Sequence, residues 1–100
     1  MSALIRFLPE ARAEFDEATD WYERRQAGLG DAFIVRVNEV LLRIASNPQI
    51  HPTIYRDVRQ GVLKQFPYVV LYRNEGNEVI VVSVFHSARD PAVWQGRIPS

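Results

Sequence analysis

The sequence predicts a single α+β domain over residues 1–100, in which a helical hairpin packs on one face of a mostly antiparallel four-stranded sheet. Apolar side chains between residues 9 and 47 recur every three or four positions, which is the spacing of amphipathic helices. Residues 58–85 instead form β-branched and aromatic runs separated by turn residues. A chain of 100 residues is long enough for one domain with one core. The predicted element order is β-α-α-β-β-β-α.

The amino-terminal half predicts a strand and two helices. Residues 3–8 are largely apolar and indicate a short strand, and Pro9 suits the first turn of the helix that follows. That helix has one apolar and one acidic face, and a join with two glycines leads to a second helix that Asn47-Pro48 ends. The predicted core positions are Leu8, Ala11, Phe15, Ala18 and Tyr22 in the first helix and Phe33, Val37, Val40, Leu41 and Ile44 in the second.

The carboxyl-terminal half predicts three strands, over residues 58–66, 68–73 and 78–85. Residues 74–77 form a strong turn signal between the last two strands. Pro67 cannot donate a backbone hydrogen bond, so we expect it to interrupt the ladder between the first two. The last strand is continuously apolar apart from one serine, which is typical of a central strand covered on both faces.

The segment after the last strand is the strongest candidate for chemistry. His86 follows the strand directly and Arg89 comes three residues later. Functional groups are often placed where the chain leaves a rigid element, and an imidazole can transfer protons near neutral pH. The alternative is that His86 bonds a nearby carbonyl and anchors a terminal helix over residues 90–96, with Asp90 as its cap.

Composition excludes several classes of protein. The absence of cysteine excludes disulfides, a thiol nucleophile and a zinc–thiolate site. No apolar run approaches the ~20 residues of a membrane span, and the first residues lack the plan of a secretory signal, so we expect a cytoplasmic protein without membrane contact. The acidic pairs of the first helix, such as Glu10 and Glu14, have no histidine beside them, so we expect neither a metal nor a cofactor.

Residues 51–100 carry six basic and four acidic side chains, and eleven of the twelve basic residues in the chain are arginine. Arg56, Arg59, Lys64 and Arg73 alternate there with aromatic residues, and Trp94 follows in the terminal segment. Such a strip suits single-stranded nucleic acid, with phosphates on arginine and bases on rings, or an acidic peptide laid along the sheet. The alternative is a solvated basic face whose aromatic residues belong to the core. The phase of the 58–66 strand leaves open whether its basic side chains converge.

Three segments together resemble the RelE/ParE superfamily of toxins from type II toxin–antitoxin modules. These are Phe66–Arg73, the apolar strand Val79–Val84, and His86–Pro91 with Trp94 three residues further on. The resemblance implies the predicted fold, a protein antitoxin that wraps around the toxin, and growth arrest by free toxin. Members similar to RelE cleave messenger RNA on the ribosome without a metal, whereas members similar to ParE inhibit DNA gyrase.

The resemblance favours the ParE branch. RNA-cleaving relatives carry two spaced lysines in one strand, where this chain has only Lys64, and a tyrosine where this chain has Trp94, whose indole has no titratable hydroxyl. If the chain is nevertheless an RNase, His86 and Arg89 are the catalytic candidates. A third hypothesis is a non-toxic interaction module.

Contacts with partners are predicted from the same resemblance. Arg56, Arg59, Lys64, Arg73 and Trp94 are candidates for contacting the target, whether gyrase or the ribosome and its mRNA. The antitoxin is expected in the groove between hairpin and sheet, near Arg56, Arg59 and Tyr72.

Overall fold

A five-stranded sheet with a helical hairpin on one face forms the framework of the protein. The computed structural model describes residues 2–99. Its strands stand in the order β1-β5-β4-β3-β2, with β1 parallel to β5 and the remaining pairs antiparallel. The elements are β1 (Leu4–Phe7), α1 (Pro9–Arg25), α2 (Leu29–Ser46), β2 (Thr53–Tyr55), β3 (Val58–Val62), β4 (Tyr68–Glu75), β5 (Glu78–His86) and α3 (Ala92–Gln95).

The predicted α+β class is confirmed, with three differences in detail. The sheet has five strands instead of four, because residues 53–55 pair with β3. Strand β3 ends at Val62, since the following loop contains Pro67 and a Gln65 with φ of 72°. The terminal helix is a single turn, although the Asp90 carboxylate does accept the Ala92 backbone N–H as a cap would. No helix among residues 2–99 has the length and apolarity needed to cross a bilayer.

The larger core lies between the hairpin and the sheet. Phe33 of α2 is at its centre, fully buried, with ring centroids 5.2 Å from Phe66 and 5.0 Å from Tyr68. The Phe15 and Tyr22 rings of α1 lie 6.0 and 5.3 Å away. Burying a large apolar side chain contributes roughly 1.5–3 kcal/mol, so this aromatic cluster is a main source of stability.

A smaller core covers the opposite face of the sheet. It is formed by Val58, Val69, Leu71, Val82, Phe85, Trp94 and Ile98. The last two residues come from the carboxyl-terminal segment, which therefore packs on the face that the hairpin leaves open. Strands β4 and β5 are covered on both faces, which explains the continuous apolar run in β5.

Gly61 of β3 lies against Val40 of α2 and against His51 of the loop that follows α2. A Cβ added at Gly61 would lie 2.6 Å from Val40 Cγ1 and 3.3 Å from His51 Nε2, so only glycine fits. The Nε2 atom of His51 is buried without a hydrogen-bond partner among residues 2–99. Burial lowers the pKa of His51 from its usual value, and the Arg43 guanidinium lowers that pKa further.

Acid is expected to weaken the fold through His51. Because its pKa is depressed in the folded state, the unfolded chain binds the proton first. The contribution to stability is complete above pH of about 6.5 and is lost as the pH falls through the lower folded pKa. Urea unfolding at pH 7.5 and 5.5 should therefore show a lower midpoint at pH 5.5. A His51→Asn variant should show a smaller difference, and an equal difference would contradict this assignment.

Candidate functional site

The outer edge of β5 is only partly paired. Strand β1 ends at Phe7, opposite Val81, and its last bond runs from the Leu8 N–H to the Val81 carbonyl. Beyond that point the side chains of α1 and of the terminal segment replace the strand. The carboxylate of Glu14 accepts the Val84 backbone N–H at 3.3 Å and the Ser83 hydroxyl at 2.8 Å.

Arg97, from the carboxyl-terminal segment, also bonds to the outer edge of β5. Its guanidinium donates to the Val82 carbonyl at 2.9 Å and to both Glu14 oxygens at 3.0 and 3.1 Å. The side chains of Arg97 and Glu14 are only 15% and 14% exposed. This bidentate pair joins the carboxyl-terminal segment to α1 across the sheet edge, and it satisfies the backbone groups that β1 leaves unpaired.

Next to this pair is a cavity of about 320 Å³, which we call the β5-end pocket. It lies between α1 and the end of β5, where a longer β1 would have continued. Its lining residues are Glu14, Glu17, Ala18, Trp21, Tyr22, Tyr68, Val84, His86 and Arg89. The structure therefore does bring together the two residues predicted as conditional catalysts, His86 and Arg89.

His86 presents a hydrogen-bond donor to the pocket. Its Nδ1 accepts the Ala88 backbone N–H at 3.0 Å, so the neutral ring carries its proton on Nε2. The ring lies edge-on to Tyr68, with centroids 5.1 Å apart. This geometry agrees in part with the alternative interpretation of His86, because Nδ1 stabilises the turn after β5.

Arg89 and Tyr68 add two further donors. Within residues 2–99 the Arg89 guanidinium forms no ion pair or hydrogen bond, and it lies 6.0 Å from the Phe85 ring centre. Burial raises the pKa of Tyr68, Tyr22 raises it further, and Arg89 opposes the rise. The phenol therefore stays protonated at neutral pH and lies close to the guanidinium.

Four of the other predicted basic residues lie apart from this pocket. Arg73 is paired with Asp57 and Glu75, and the pairing lowers the pKa of Asp57. Arg59 donates to the carbonyls of His51 and Gln49 at 2.6 and 3.3 Å. Arg56 donates to the Pro99 carbonyl from the β2–β3 turn, and Lys64 is exposed in the loop after β3. These four cations do not form one accessible patch, because three of them are held by local acceptors.

Trp94 and Tyr72 are core residues in this structure. Trp94 is 2% exposed and packs edge-on against Tyr55 and Phe85, so its ring faces are not open to a base. Tyr72 has no exposed surface, and its hydroxyl donates to the Pro48 carbonyl at 2.8 Å. The structure thus places Tyr72 away from any surface that an antitoxin reaches without rearrangement.

Removal of the Tyr72 hydroxyl provides a test of its structural role. Tyr72→Phe is expected to lower the free energy of unfolding by about 1 kcal/mol, because the bond to Pro48 is lost while the ring still fills its site. Urea unfolding measures this change, and the affinity for the antitoxin should be unaltered. A loss of antitoxin affinity with full stability would instead place Tyr72 in the interface.

Glu14, Glu17, Trp21 and Arg97 are site residues that the sequence interpretation missed. The acidic face of α1 was considered as a possible metal site and was not assigned one. A signal for Glu14 is present in hindsight, since it follows Ala11 by three positions and precedes Ala18 by four, at the border of the apolar stripe. No local pattern connects Arg97 with α1.

A second groove of about 320 Å³ lies on the sheet face opposite the hairpin. It is lined by Ile54, Gln60, Val62, Val69, Leu71, Phe85, Ser87, Pro91 and Trp94. None of these side chains is charged. The groove therefore offers mainly apolar contact and no charged side chain to neutralise a phosphate.

The architecture, a helical hairpin on one face of a mostly antiparallel sheet, is the fold that the resemblance to the RelE/ParE superfamily implied. A family model described as the ParE toxin of type II toxin–antitoxin systems, parDE, matches residues 5–91. The chain belongs to this family and is the toxin component of such a system.

Structural comparison agrees on the fold. A solved structure described as a chromosomal ParDE TA system from P. aeruginosa is similar with a TM-score of 0.63 and 16% sequence identity. The similarity covers 85% of this chain and 96% of that chain. A search of curated proteins found no match.

Proposed function

We propose that this toxin acts in the cytoplasm by binding and inhibiting DNA gyrase, and that it does not cleave RNA. Its family pairs each toxin with an antitoxin, which keeps it inactive until released. The observation that carries the proposal is the distribution of charge. The groove on the sheet face opposite the hairpin is uncharged, and the basic residues predicted to bind phosphate are mostly engaged by local acceptors.

The chemical requirements of RNA cleavage also argue against an RNase. Attack by a 2′-hydroxyl on phosphorus needs a base to accept its proton and cations to stabilise the added charge. In the β5-end pocket the Nδ1 of His86 is occupied and Nε2 carries the proton, so the neutral imidazole is a donor. The Glu17 carboxylate that also lines this pocket would repel a phosphate, and Arg97 is neutralised by Glu14.

Contacts with gyrase are proposed for Arg56 and Lys64, the two candidate target-binding residues with exposed side chains. Arg56, in the turn before β3, and Lys64, in the loop after β3, lie at opposite ends of that strand. Arg56 also adopts a φ of 52°, which is uncommon for a residue with a side chain and holds it at the tip of the β2–β3 turn.

The direct test uses purified toxin in a supercoiling assay with gyrase and a relaxed plasmid. We expect inhibition that increases with toxin concentration and is reversed by the antitoxin. A parallel reaction with translating ribosomes should leave the mRNA intact. Unimpaired supercoiling with cleaved mRNA would establish the RNase alternative, and no effect in either reaction would identify a non-toxic module.

A substitution at His86 separates the two toxic mechanisms. We expect His86→Ala to retain at least half of the growth arrest of the parent toxin, because the imidazole has no role in binding gyrase. The measurement is colony formation after induction, with circular dichroism to verify folding. Complete loss of toxicity in a folded variant would favour His86 as a catalytic group.

A further inference from the structure

The β5-end pocket combines several donors with no bound acceptor. The Nε2–H of His86, the hydroxyl of Tyr68 and the guanidinium of Arg89 all belong to residues that line it. None of the three donors has a hydrogen-bond acceptor among residues 2–99. Arg89 is exposed and His86 and Tyr68 are half-buried, so all three donors are free to bond a ligand that enters the pocket.

The charged side chains that line the β5-end pocket limit the charge of a ligand that it can bind. The Glu14 carboxylate is neutralised by Arg97, which leaves one free cation, Arg89, and one free anion, Glu17, among the lining residues. A polyanion would also meet the acidic outer face of α1, which bears Glu10 and Asp20. With a single free guanidinium and two neutral donors, the pocket can hold at most one carboxylate.

The neighbouring surface suits a peptide. Because the Val84 N–H is directed outward to Glu14, the alternation of the antiparallel ladder directs the His86 N–H outward as well. Beyond the groups bonded by Glu14 and Arg97, an extended segment can accept the His86 N–H as a continuation of β1. Trp21, 47% exposed on the opposite wall, offers an apolar surface to the next side chain of that segment.

We propose that the β5-end pocket binds the carboxylate of one acidic side chain from an extended segment of the antitoxin, held by Arg89, His86 Nε2–H and the Tyr68 hydroxyl. This site lies at the end of β5 on the α1 side, away from the predicted contacts at Arg56 and Arg59. Glu17 weakens the site by repulsion. The proposal rests on the toxin–antitoxin pairing and does not depend on gyrase being the target.

The first experiment is a titration of the toxin with N-acetyl-glutamate N-methylamide, followed by NMR of the His86 and Tyr68 ring signals. We expect saturable shifts with a dissociation constant on the order of millimolar. The neutral probe N-acetyl-glutamine N-methylamide should produce none. Equal shifts with both probes would overturn the carboxylate assignment, and tighter binding of inorganic phosphate would replace it with a phosphate site.

The second experiment measures affinity between the toxin and its antitoxin for three variants. Arg89→Gln should weaken binding by about tenfold to a hundredfold, the loss expected for a charged hydrogen-bonded contact. Glu17→Gln should tighten it by about twofold to fivefold, because a like charge is removed. The control Arg24→Gln, an exposed arginine of α1 outside the pocket, should change it less than twofold. Unchanged affinity in Arg89→Gln, or weaker binding in Glu17→Gln, would overturn the proposal.

Supercoiling inhibition by the same variants separates this proposal from the gyrase proposal. If Arg89→Gln loses antitoxin affinity while gyrase is not inhibited even by the parent toxin, only the target assignment fails. If gyrase inhibition is intact and antitoxin affinity is unchanged, only the pocket assignment fails.

Discussion

Replacement of Glu14 by alanine is expected to lower the free energy of unfolding by about 3 kcal/mol, the magnitude typical of breaking a buried ion pair. The substitution leaves the Arg97 guanidinium largely buried without its partner and removes the acceptor for the Ser83 hydroxyl and the Val84 N–H. Urea unfolding of the purified toxin measures the change. The midpoint should fall while the slope with denaturant stays constant.

Two further variants test whether the loss of stability comes from the buried Glu14–Arg97 pair. Asp16→Ala breaks the ion pair with Arg12, in which both side chains are about 60% exposed, and should cost less than about 0.5 kcal/mol. Combining Glu14→Ala with Arg97→Met should recover part of the loss, since no charge then stays unpaired. A cost for Glu14→Ala no greater than that for Asp16→Ala would show that the edge of β5 does not depend on this pair.

Replacement of Phe33 by alanine is expected to cost about 3–5 kcal/mol, which is comparable with the whole stability of a small domain. Phe33 has no exposed surface and contacts aromatic rings from α1 and from the sheet. Its loss leaves a cavity at the point where the hairpin joins the sheet. Thermal unfolding followed by circular dichroism should show a large fall in Tm, or a chain unfolded at 37 °C.

Val35 provides the matched control on the same helix. It is 54% exposed, so Val35→Ala should alter stability by less than about 0.5 kcal/mol. If Phe33→Ala were tolerated as well as Val35→Ala, the assignment of the aromatic cluster as the main core would be wrong.

The sequence was sufficient to predict the elements that have long, regular apolar patterns. Both helices and strands β4 and β5 extend over eight or more residues, so their apolar periodicity is unambiguous. The sequence left the phase of β3 open, and in the structure Val58 faces the smaller core while Gly61 and Leu63 face the hairpin. Strand β2 was missed because three residues are too few to display a period, and its pairing depends on a turn at Arg56.

The site was harder to predict than the fold, because its contacts join distant parts of the chain. The strand-end position of His86 and Arg89 was visible in the sequence, and they do share a pocket. The pairing of Arg97 with Glu14 joins residues 83 positions apart, which no local pattern encodes. The aromatic residues Trp94 and Tyr72 were interpreted in part as contact residues, because the burial of Trp94 in the smaller core and of Tyr72 in the larger core depends on how the strands assemble.

We propose above all that this ParE-family toxin binds its target and does not cut RNA. The most direct measurement follows plasmid topology and transcript 5′ ends in the same cultures, within minutes of inducing the toxin. We expect progressive loss of negative supercoiling with intact transcripts. Transcripts cleaved at ribosome-bound codons, in cells whose plasmid supercoiling is unchanged, would contradict it.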